Sequence, residues 1–73
     1  MTTARQIATE TRMGIGSLAK RYGSKTKAFD TIAEVSGVSA SMIAKFYYRA
    51  KDNPSTDILD AMAAAVKHLG TQP

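Results

Sequence analysis

Apolar residues in this chain recur at intervals of three and four, and nowhere do they alternate with polar residues over the length of a strand. That spacing lines one side of an α-helix, whereas a half-buried strand needs a period of two. The pattern therefore predicts an all-α fold. From Thr3 to Tyr22 one stripe contains Ile7, Thr11, Ile15, Leu18 and Tyr22. Gly14 and Gly16 fall inside it, each costing about 1 kcal/mol against alanine in a helix interior. This segment is expected to be either one long helix that bends or two short helices that meet. Gly23-Ser24 ends it, and Ser24 or Thr26 can cap the next helix, whose buried face is expected to hold Phe29, Ile32, Ala33 and Ser36.

Gly37 stops that helix, and Ser39 is placed to cap another beginning at Ala40, because its hydroxyl can accept from a free amide of the first turn. The third helix turns Ile43, Phe46 and Tyr47 toward a core. It is expected to break within Ala50-Lys51-Asp52-Asn53-Pro54, since Pro54 disfavours a helical Asn53. Ser55 then caps a last helix to about residue 69, with Asp57 near the positive end of its dipole and Ile58, Met62, Val66 and Leu69 facing inward. Gly70 is expected to end it, leaving Thr71-Gln72-Pro73 as a frayed tail.

At 73 residues the chain suits a single domain, 1–73, with a thin core; domains this small bury only about 60% of the surface exposed on unfolding. Without cysteine there is no disulfide or thiolate metal site to reinforce it. No apolar run approaches the roughly 20 residues needed to span a bilayer, and Met1 to Gln6 lacks a signal-peptide core. A soluble, cytoplasmic protein with no membrane contact is expected. The net charge of +4 and pI near 9.7 favour a polyanionic partner, and the basic residues cluster. Lys20, Arg21, Lys25, Lys27, Lys45, Arg49 and Lys51 fall mid-chain, opposed there only by Asp30 and Glu34.

The span 29–48 carries a set of residue types that a DNA-binding helix-turn-helix demands. Two helices crossing at about 90 to 120° need a small residue at the crossing, here Ala33, and a turn residue tolerant of positive φ, here Gly37. Val38 covers the turn, Ile43 fills the angle between the helices, and Ile32 and Phe46 add core contacts. On Phe29 to Ser39, Ser41 to Phe46, Asn53-Pro54-Ser55 and Ile58 to Met62, the chain resembles the lambda-repressor-like or Xre (Cro/repressor-type) regulators. The resemblance covers about 24–70. It implies a compact four-to-five-helix domain that binds double-stranded DNA, with the helix Ala40 to Tyr48 in the major groove.

By position, the resemblance assigns base contacts to Ala40, Ser41 and Lys45. Ala40 offers a methyl to thymine, Ser41 suits several bases, and Lys45 can reach guanine O6 or N7 or, equally, a phosphate. Thr26 and Lys27 take backbone-contacting positions, with Lys25 beside them; Ser39, Tyr48, Arg49 and Lys51 join that set. Where the family often has a glycine, this chain has Ala50 after Arg49, so the recognition helix is expected to run on. Of the adjacent tyrosines, Tyr47 is expected inward and Tyr48 toward DNA.

His68 has no cysteine, second histidine or converging carboxylate beside it, so neither catalysis nor metal binding is expected, and no cofactor or small-molecule ligand is implied. Asp57 and Asp60 read as a solvated helix start. Met13, Met42 and Met62 read as core filler, with Met42 open to exposure by its place on the recognition helix. A homodimer, if formed, must use the first or last helix, the Ile7 stripe being one candidate. The expected function is a small phage- or plasmid-type transcriptional regulator, a repressor being favoured. The alternative is a protein-interaction module, such as an antitoxin or host-factor-binding phage protein, on the same scaffold.

Overall fold

The structure is a computed structural model that describes residues 3–49 and 54–71. It contains four helices, α1 (Ala4–Tyr22), α2 (Lys25–Ser36), α3 (Ala40–Tyr48) and α4 (Thr56–Gly70). All-α architecture is thus observed. Each helix begins at a hydroxyl cap whose oxygen accepts a first-turn amide: Thr3 from Gln6, Ser24 from Lys27, Ser39 from Met42 and Ser55 from Ile58. At the start of α1 the Gln6 side chain also accepts from the Thr3 amide at 2.9 Å, completing a reciprocal capping box. Between Ser24 and Thr26, the cap of α2 is Ser24.

The possible break in α1 does not occur: Ala4–Tyr22 is one continuous helix. Gly14 lies where α1 meets α4, and a Cβ there would collide with Val66 Cγ1. The missing side chain is therefore what allows the two helices to approach. α1 packs mainly against α4 and α2, while α3 rests chiefly on α2. Ile15, Ile32, Ile43, Phe46 and Met62 form the fully buried centre, joined by Leu18, Phe29, Leu59 and Leu69. Thr11, the one buried polar residue among those described, donates its hydroxyl to the Ile7 carbonyl at 2.6 Å and so is satisfied.

The helical phase corrects several expectations. Met13 is 69% exposed rather than core filler, because it lies two positions from both Thr11 and Ile15 and so points away from the stripe they share. Met42 is also exposed, and only Met62 of the three is central. Leu59, not Ile58, is the first fully buried residue of α4; Ile58 is half-buried at its edge. Ala28 is completely buried on α2, whereas Ala33 and Ser36 are only half so. Gly70 is helical, and α4 closes at Thr71, whose amide bonds the Lys67 and His68 carbonyls without a left-handed residue. No described helix is long and apolar enough to cross a membrane.

Val66 is β-branched and stiff at χ1, so Gly14→Ala is expected to lower stability by about 1–2 kcal/mol despite alanine's better helix propensity. At Gly16 an added Cβ would meet the Tyr47 hydroxyl at an ordinary 3.5 Å. Gly16→Ala should therefore raise stability by about 0.5–1 kcal/mol. Urea unfolding of both variants checks the pair, and shifts of the same sign would refute this packing account. Adding Val66→Ala to Gly14→Ala should recover part of the loss.

Candidate nucleic-acid interface

Gly37, Val38 and Ser39 join α2 to α3. Gly37 has φ 77°, where a Cβ would be strained, and its amide returns to the Ala33 carbonyl at 2.9 Å. The Val38 amide donates to Ser36 Oγ at 3.1 Å, so the turn is hydrogen-bonded through its own residues. Val38 and Ala33 are half-buried against the core, and Ile32, Ile43 and Phe46 are inside it. Five of the six expected residues thus lie in or against the core, and Gly37 is the exposed turn residue between them.

With Ile43 and Phe46 turned inward, Ser41, Lys45 and Tyr48 recur four and three positions apart along the exposed side of α3. Met42 and Arg49 are exposed beside them. No acidic residue occurs anywhere on α3. Ala40 lies apart from this stripe, half-buried and packed against the core. The expected extension of the helix is not found: α3 ends at Tyr48, and Arg49 is extended at φ −112°, ψ 94°. Its amide still bonds the Lys45 carbonyl at 2.8 Å, the last bond of the helical ladder. Of the break assigned to 50–54, only Pro54 is described, and it is non-helical; Lys51 lies outside the described residues.

Lys25, Thr26 and Lys27 form the exposed first turn of α2. Ser24 Oγ accepts the Lys27 amide at 3.3 Å, while those of Lys25 and Thr26 have no partner within the helix. This turn combines two ammonium groups, a hydroxyl and the positive end of a helix dipole, all suited to an anion. Ser39 is exposed at the start of α3, its oxygen accepting from the Met42 amide at 3.2 Å. The hydroxyl proton remains able to donate outward.

The first turn of α2 and the last of α3 meet through an aromatic cluster. The Phe29 ring lies 5.8 Å from Tyr47 and 6.0 Å from Tyr48, and the two tyrosine rings stand edge-on at 5.2 Å. Lys25 Nζ sits 5.9 Å from the Tyr47 centroid and 5.5 Å from that of Tyr48. Tyr47 is half-buried and Tyr48 is 60% exposed, the division expected for the pair. The lysine–tyrosine contact has no sequence signal, since the partners are more than twenty positions apart.

Arg12 is a cation of a different kind. From α1 its Nε donates to the Phe46 carbonyl at 3.0 Å, and its guanidinium lies 4.3 Å above the Phe46 ring. It satisfies one of the carbonyls left open at the C-terminus of α3 and covers the residue that carries it. Arg21 does the same for α4, donating to the Leu69 carbonyl at 3.3 Å. No protein-family model matches the sequence, and comparison with curated proteins and with solved structures also finds no match.

Arg12→Met keeps an unbranched stem over Phe46 but removes the donor and the charge. It is expected to lower unfolding free energy by about 2 kcal/mol, the scale of a hydrogen bond from a charged group. Lys25→Met, at an exposed site, should change it by less than about 0.5 kcal/mol. Thermal or urea unfolding distinguishes the two, and equal effects would remove the structural role given to Arg12.

Proposed function

We propose that this protein binds double-stranded DNA in a sequence-specific manner, with α2 and α3 acting as a lambda-repressor-like helix-turn-helix and α3 entering the major groove. The observation that carries this reading is the acid-free exposed side of α3, Ser41, Lys45 and Tyr48, set beside the cationic first turn of α2. Ser41 and Lys45 are the base-reading side chains, with Ala40 limited to a partial methyl contact. Lys25, Thr26, Lys27, Ser39, Tyr48 and Arg49, together with Lys51, contact phosphates on either side. Phosphate contacts fix register, and the α3 contacts carry the sequence information.

A protein of this kind acts as a small transcriptional regulator of the Xre type, most simply a repressor that occludes a promoter. Two half-sites would need two copies paired through α1 or α4, where half-buried Ile7 lines a groove with Ala63 and Val66.

Selection of bound duplexes from a random pool at two salt concentrations tests the proposal. Lys27→Ala should weaken binding to all sequences alike and reduce the slope of log affinity against log salt by about one. Lys45→Ala should relax preference at one position by roughly 5- to 150-fold, the range of a single base contact. A palindromic product would establish paired half-sites. If the Lys27→Ala/Lys45→Ala protein matched the wild type on every duplex, the proposal would fail.

A further inference from the structure

On the flank of α3 facing the start of α4, Met42, Phe46, Pro54 and Ile58 enclose a notch of about 150 Å³ with Lys45 at its edge. Its lining is almost entirely apolar, and Met42, one of its walls, is 39% exposed. The notch is continuous with the exposed stripe, because Ser41, Met42 and Lys45 are neighbours on the outer half of α3. Lys45 lines the notch chiefly with its hydrocarbon stem, so a group seated there lies along the side chain that carries the ammonium to the exposed side of α3.

These features limit the occupant. The opening sits beside a cation, so its surroundings favour a ligand rich in acceptors, while the notch itself offers hydrocarbon. Base edges in the major groove are lined with oxygen and nitrogen acceptors and donors, and the apolar group displayed there is the 5-methyl of thymine. A methyl adjacent to guanine N7, guanine O6 or a phosphate matches an apolar notch lined in part by the stem of an exposed lysine.

We propose that the notch formed by Met42, Phe46, Pro54 and Ile58 receives a thymine 5-methyl group next to the position contacted by Lys45, making Met42 a specificity-determining residue. This inference rests on the DNA-binding reading. It supplies a discriminating contact that Ala40, half-buried behind the stripe, and Ser41, tolerant of several bases, do not.

Uracil differs from thymine only by that methyl, so replacing each thymine of the selected duplex in turn tests the notch without altering a hydrogen bond. With the full chain, one replacement should weaken binding about three- to fivefold, the scale of burying a single methyl group. In Met42→Ala the same replacement should have little effect. The methyl resonances of Met42 and Ile58 should shift on binding the thymine duplex and less on binding its uracil form, which guards against a misfolded variant. A bound duplex for which every uracil replacement is neutral, a selected site without thymine, or an equal loss in Met42→Ala would overturn the inference while leaving DNA binding intact. Failure of the wild type to bind any duplex would remove both.

Discussion

A helix of nine residues is too short to persist alone in water, so α3 depends on what grips its two ends and its inner face. Ser39 holds the first turn, Arg12 takes a carbonyl of the last, and Ile43 and Phe46 anchor the middle. The left-handed Gly37 sets the direction from which the chain enters. These restraints fix the rotation of α3 about its axis. That rotation decides that Ser41, Lys45 and Tyr48 face outward, and a rotation of 100°, one residue, would replace that stripe with a different set.

The restraint converges on α1. Arg12 and Arg21 are nine positions apart, or two and a half turns, and so leave α1 from opposite sides, one to close α3 and the other to close α4. Between them Gly14 lets α4 approach. In so thin a core, a single central helix that both fills the interior and satisfies the ends of its neighbours does the work that additional layers perform in larger domains.

Signals that act within one turn were legible in the sequence. Ser39 and Ser55 read as caps because a hydroxyl just before an apolar run has a local purpose, and Gly37 read as a turn because positive φ is a property of the residue itself. The stripe Ile7, Thr11, Ile15 and Leu18 followed from period alone. What was not legible depends on partners distant in sequence. Gly14 looked like a helix breaker because its opposite number, Val66, lies on another helix. Arg12 carries no local signal of its role, because its partner Phe46 is 34 positions away. Met13 differs for another reason: it is apolar, yet two positions from a buried residue is the far side of a helix, and phase outweighs hydrophobicity there. Of the candidate interface, the positions of Ser41, Lys45 and Tyr48 were readable, whereas the aromatic seat of Lys25 and the notch beside Met42 were not.

Net charge alone would have treated all the cations as equivalent, yet the structure divides them. Arg12 and Arg21 each donate to a backbone carbonyl at a helix end, so part of the basic count serves the fold. Lys25 occupies a middle state: its ammonium rests over Tyr47 and Tyr48, a contact worth only about 0.5–1 kcal/mol at an exposed site. That is enough to narrow its rotamers and too little to hold it against a phosphate, whose charge attracts it more strongly. The aromatic cluster thus keeps one cation near the junction of α2 and α3 while leaving it able to move, and Lys27 and Lys45 remain as solvated point charges on either side. If the surface binds a polyanion as proposed, the side chains that must reorder are the flexible lysines rather than the scaffold.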